Sequence, residues 1–157
     1  MKKADSIIAQ FYEAFRQKDA SAMAACYHDD IVFNDPAFGY LYGKEVEWMW
    51  RMLLERSKGD LVVSYYNVMQ DEDRGIVKWE ARYKFSITGR RVHNKINASF
   101  EFKDGLIINH DDCFNLWGWA IQAFGVKGFF MGMIPWFGRS LRKKSKAALL
   151  KYIDGKK

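Results

Sequence analysis

The alternation of apolar and polar positions divides the chain into a helical first third, a strand-rich middle and an end that is first apolar, then basic. In "DSIIAQFYEAFRQ" apolar residues recur at Ile8, Phe11, Tyr12 and Phe15, the spacing of one helix face, with Asp5 as the expected N-cap. "DASAMAACYHDD" predicts a shorter second helix, capped by Asp19 and stopped near Asp29 and Asp30. The strand "IVFND" then runs into Pro36, which cannot continue a ladder. "GKEVEWMWRMLLERS" predicts a third helix with Val46, Met49, Trp50, Leu53 and Leu54 on its apolar face.

From residue 61 the period falls to two. After "LVVSYYNVM", the stretch "GIVKWEARYKFSI" alternates Trp79, Ala81, Tyr83 and Phe85 with Lys78, Glu80, Arg82 and Lys84, a strand with one wet face. Thr88-Gly89-Arg90 turns the chain into "RVHNKINASFEF", with Ile96, Ala98, Phe100 and Phe102 on one side. Lys103-Asp104-Gly105 turns it again into "INHDDCFNLWGW", read as the last strand, so residues 74–117 form an antiparallel meander. Residues two apart in a strand share a face, so if Phe114 and Leu116 point into the core, His110 and Asp112 do too. An imidazole and a carboxylate side by side on an apolar face are either satisfied core groups or chemistry in a cavity.

Composition narrows the classes. A chain of 157 residues with 49% hydrophobic content and 2 prolines buries an ordinary core. Cys26 and Cys113 are too few for a disulfide framework, and no leader-like apolar run follows the initial lysines, so unpaired thiols and a cytoplasmic location are expected. The net charge of +6 does not indicate nucleic acid: residues 139–157 hold eight basic side chains against Asp154 alone, a net +7, leaving residues 1–138 at −1.

Helices first, a short strand ending in Asp-Pro, a further helix and then a curved sheet: this order resembles the nuclear transport factor 2-like, or SnoaL-like, superfamily that includes ketosteroid isomerase. The residues that carry the resemblance are "FYEAFRQKDASAMAACYHDDIVFNDPAFG" (11–39), "GKEVEWM" (43–49) and "FEFKDGLIINHDDCF" (100–114). It implies an α+β fold: a cone-shaped, curved antiparallel sheet wrapped around the N-terminal helices over residues 1–117; the extra C-terminal helical tail over 118–157 lies outside the resemblance. The cone of that fold opens onto a pocket. The expected ligand contacts are Tyr12, Tyr27, Trp79, Tyr83, Phe85, Asn94, Phe100, Phe102 and Phe114, suited to a small lipophilic molecule.

The resemblance implies catalytic roles for three residues. Asp35, in "VFNDP", stands where ketosteroid isomerases carry their base. Phe11 falls where that enzyme has its oxyanion tyrosine, with Tyr12 one residue off, and Ala98 falls where it has a protonated aspartic acid, so steroid isomerisation itself is not expected. SnoaL-like cyclases carry a carboxylate on the last strand, in the region of Asp112, and His110 beside it would share or tune its proton. The Asp-Arg-Asp set of limonene epoxide hydrolases would need an inward arginine, whereas Arg82 falls on the wet face. No cofactor or metal is expected, since His28, His93 and His110 sit in separate elements without ligand spacing.

The segment "LWGWAIQAFGVKGFFMGMIPWFG" (116–138) approaches a membrane span in length, but Gln122, Lys127, Pro135 and five glycines argue against one. Its aromatics, Trp117, Trp119, Phe129, Phe130 and Trp136, are expected to cap the cone or meet a second copy in a homodimer. The helix after it places Leu141, Ala148, Leu149 and Tyr152 on one face amid basic residues, which fits docking on its own domain or peripheral membrane contact through 139–157. Two function classes follow: a small enzyme moving a proton on a lipophilic carbonyl or cyclic substrate, and a non-catalytic ligand-binding or assembly module of the same fold.

Overall fold

A computed structural model describes residues 6–157, so the Asp5 cap lies outside the described residues. The first helix, α1 (Ile7–Arg16), is instead capped by Ser6, whose Oγ accepts from the Ala9 amide and donates to Gln70 Oε1. Helix α2 (Ala20–Ala25) begins on the Asp19 side chain, as its sequence predicts, but ends earlier than expected. Residues 27–30, read as helix, open strand β1 (Tyr27–Asp35), where Tyr27 pairs with Ile107. Long-range pairing overrides the local helical pattern there.

Strand β2 (Gly39–Tyr42), which the sequence reading lacks, forms a hairpin with β1 through Pro36. Asp35 makes that turn: its Oδ1 accepts from the amides of Ala37 at 2.9 Å and Phe38 at 2.6 Å. Helix α3 (Lys44–Arg56) buries Val46, Met49, Trp50 and Met52. Strands β3 (Val62–Gln70), β4 (Arg74–Lys84), β5 (Arg91–Lys103) and β6 (Leu106–Cys113) form the antiparallel meander. The β5–β6 turn has Asp104 and Gly105 both at positive φ, the two-residue connection whose twist matches its strands.

The curved, unclosed sheet has the order β2-β1-β6-β5-β4-β3. It is mixed, not antiparallel throughout, because β6 returns beside β1 and runs parallel to it, with Phe33 opposite His110 and Asn34 opposite Asp111. The inward side of β4 and β5 is the expected one: Val77, Trp79, Ala81, Ile96, Ala98 and Phe100 are buried against α1 to α3.

Strand β6 stops at Cys113, short of Trp119, because Asn115 accepts from the Gly118 amide and starts helix α4 (Leu116–Phe124). Helix α4 lies across the end of β5, burying Trp119, Ala120 and Ala123 against Val92, Tyr83 and Phe85. Helix α5 (Val126–Gly132) folds back on α4, and helix α6 (Phe137–Asp154) packs on α3, with Leu149 buried in the main core and Tyr152 against Trp48. Of the five tail aromatics expected to cap the cone or meet a second copy, only Trp119 is buried; Trp117, Phe129, Phe130 and Trp136 face outward.

Candidate active site

Five inner-face side chains form one hydrogen-bonded line. Trp50 Nε1–H of α3 donates to Tyr27 Oη of β1 at 3.0 Å, and Tyr27 Oη lies 2.8 Å from His110 Nδ1 of β6. His110 Nε2 lies 3.0 Å from Asp112 Oδ1, which also accepts from Trp79 Nε1–H of β4 at 3.2 Å. His110 and Asp112 sit two apart on β6, so both point inward, and they are 0% and 4% exposed.

The hydrogen-bond pattern assigns the histidine tautomer. Tyr27 has one hydroxyl proton and already accepts from Trp50, so its own proton is satisfied only if His110 Nδ1 accepts it. Nε2 then carries the ring proton and donates to Asp112. A doubly protonated ring would leave the Tyr27 hydroxyl proton without an acceptor in this line. Phe100, Phe33 and Phe11 enclose the imidazole with ring centroids 4.4, 5.1 and 5.5 Å away. His110 therefore has no open face for a substrate and holds Asp112 in place.

Asp35 ends β1 one step beyond Asn34, whose partner is Asp111, and so stands beside Asp112 on the inward side of the parallel pair. It is half-buried, unlike Asp112. Burial pushes its carboxyl up to about 7 against the pull of the Phe38 and Ala37 amides, and the negative charges of Asp112 and Asp111 push it further. Tyr83 feels the charge of Asp35; burial raises its hydroxyl, while an N–H from Trp119 acts the other way. That N–H donates to Tyr83 Oη at 2.8 Å, which leaves the phenolic proton free to be donated onward.

The other expected ligand contacts separate into distinct environments. Tyr12, Trp79 and Phe100 are buried with Tyr12 packed on the other two, and Tyr27 is buried against Phe11, so these four side chains meet other core residues. Tyr12 faces inward, as its place on the apolar face of the first helix predicts. It stacks on Tyr65 at 5.4 Å, and its hydroxyl is buried without a hydrogen-bond partner, raised well above its usual range by burial and the nearby Asp112. Phe85 packs under α4 against Trp119 and Phe124, and Phe102 lies near Gly75 and Ile8, away from Asp35. Asn94 is half-buried opposite Ala81, and Phe114 is half-buried between the main core and the α4 cluster.

A groove of about 1040 Å3 runs past Asn67, Arg74, Ile76, Ser99 and Asp111, and a cleft of about 820 Å3 lies between Lys18, Arg51 and Tyr152; neither includes Asp35, His110 or Asp112. Trp50 and Trp119 are the site residues that the sequence reading assigned only to packing. The signal available for them was general: a buried indole N–H requires an acceptor.

Comparison with known proteins agrees with this architecture. A family profile described as "SnoaL-like domain" matches residues 8–110. A candidate polyketide cyclase of Xanthomonas campestris pv. campestris is 19% identical with a TM-score of 0.60, the match covering 74% of this chain and 93% of that one. An LEH-like epoxide hydrolase of M. tuberculosis is 20% identical with a TM-score of 0.55, over 81% of this chain and 89% of that one. An NTF2-like protein of unknown function from Cytophaga hutchinsonii is 23% identical with a TM-score of 0.57, over 69% and 96%. At these identities the likeness is one of fold, and no curated protein matches. The family profile covers most of the cone, and the chain belongs to the SnoaL-like family of the nuclear transport factor 2-like fold.

Proposed function

We propose that the chain binds a small lipophilic carbonyl compound at the rim beside Asp35 and moves a proton on it. The observation that supports this reading is a half-buried carboxylate raised to about 7 beside a second carboxylate that the Trp79 and His110 donors hold in place. Asp35 Oδ1 is fixed by two amides, leaving Oδ2 for a substrate. That oxygen takes a proton from the carbon next to the carbonyl, and the C–H electron pair moves onto the carbonyl oxygen as an enolate. The Tyr83 hydroxyl, which already accepts from Trp119, donates to that oxygen. Asp35 then returns the proton to a carbon of the enolate, so the reaction is an isomerisation or exchange with no other reactant. Asp112 raises the basicity of Asp35, and His110 acts through Asp112 as a positioning residue.

The packing of Tyr12 on Trp79 and Phe100 and the turn-forming bonds of Asp35 favour a second reading, a non-catalytic module. One experiment separates the two: incubation with a small β,γ-unsaturated cyclic ketone in deuterated buffer, followed by mass spectrometry. The enzyme reading expects deuterium uptake above the buffer rate that Asp35→Asn abolishes and Tyr83→Phe lowers by about 10²–10³-fold. Uptake at the buffer rate by the unaltered protein supports the binding module.

A further inference from the structure

We propose that the α4–α5 hairpin and the start of α6 form a docking surface for an anionic lipid membrane. Helix α5 folds against α4 so closely that a Cβ at Gly128 would strike the Ala120 carbonyl and one at Gly132 would strike the Trp117 ring. This approach gathers apolar side chains on one outer face instead of hiding them. Trp117 and Phe129 have ring centroids 5.5 Å apart, Phe129 and Phe130 5.4 Å, and Trp117 Nε1–H donates to the Phe129 carbonyl. Phe130, Met133 and Trp136 are 62%, 61% and 63% exposed, an arrangement that a soluble surface seldom carries without a partner.

The charge around this face selects the partner. No acidic residue occurs between Asp112 and Asp154, whereas Lys127, Arg139, Lys143 and Lys144 are present and exposed. Arg139 and Lys143 follow Trp136 by three and seven residues, which puts them on its side of α6. Aromatic rings with a basic fringe match a lipid interface, the rings at headgroup depth and the cations on anionic headgroups. A second copy docked on this face would set like-charged fringes against each other. Among the described residues no helix is long and apolar enough to cross a membrane, and the seven residues of α5 suit a contact in the membrane plane. The inference is independent of whether Asp35 is catalytic.

The test is sedimentation of the full chain with vesicles of phosphatidylcholine alone and with added phosphatidylglycerol. Binding is expected to the anionic vesicles, weakened by salt, and lost in the double variant Phe130→Ser, Trp136→Ser, whose thermal melt stays unchanged because both side chains are exposed. Arg139→Ser and Lys143→Ser should each weaken binding about fivefold. The proposal is overturned if the unaltered chain ignores anionic vesicles or the double variant still binds them. It is also overturned if ultracentrifugation shows a dimer that the double variant converts to monomer, since the face then belongs to a second copy.

Discussion

Replacing Asp35 by Asn should make the protein more stable at neutral pH, and increasingly so as pH rises. The side chain keeps its shape and its Oδ1 acceptor for the Ala37 and Phe38 amides, so the turn survives. What is lost is a carboxyl raised by burial from 3.8 to about 7. Between those values the folded chain holds a proton that the unfolded chain has released, so stability falls as pH rises through the window, and the full penalty applies above the folded value. Roughly three pH units at about 1.4 kcal/mol each set a ceiling of about 4 kcal/mol. For a chain of this length that corresponds to on the order of 10 °C in Tm. Urea denaturation of both proteins at several pH values between 4 and 8.5 measures it, because titrations common to both cancel in the difference. The reasoning is refuted if the difference between variant and parent does not grow across that range.

Other variants probe the rest of the site and its support. Trp79→Phe removes one of two donors on Asp112 Oδ1 and should cost about 1–3 kcal/mol in urea denaturation; no change would mean that the bond carries nothing. Leu149→Ala should cost about 2–5 kcal/mol, since the side chain is buried in the main core, and a neutral result would show that α6 does not dock. In the folded protein a thiol reagent should label exposed Cys113 rapidly and buried Cys26 slowly, with the Cys26 thiol pushed up to about 11 by burial. Two labels are expected after unfolding without reductant, and none would reveal a disulfide.

The parts legible in the sequence were those set by local period. Ile8, Phe11, Tyr12 and Phe15 mark the buried face of α1, and the alternation around Trp79 and Phe100 marks the inner side of β4 and β5, because one buried face imposes its own repeat. The inward pointing of His110 and Asp112 followed from the same alternation even though β6 ends at Cys113. Long-range placement was not legible. Nothing local to Tyr27–Asp30 shows that the segment will lie on β6, so helical pattern and nearby aspartates dominated. The Trp50–Tyr27–His110 connection joins three elements whose proximity depends on the parallel β1–β6 pair. In the tail, the apolar composition suggested a cap on the cone or a contact with a second copy, and Gly128 and Gly132 let α5 pack on α4 and leave Phe129 and Phe130 outside.

The central claim, that Asp35 exchanges a proton near neutrality, is tested most directly by carbon-13 NMR of the aspartate side-chain carboxyls, with Asp35 assigned by its disappearance in Asp35→Asn. A midpoint of about 7 is the result predicted here. A midpoint near 4, the value of an ordinary solvated aspartate, would contradict the account, because the raised proton affinity that singles out Asp35 as the proton carrier would then be missing.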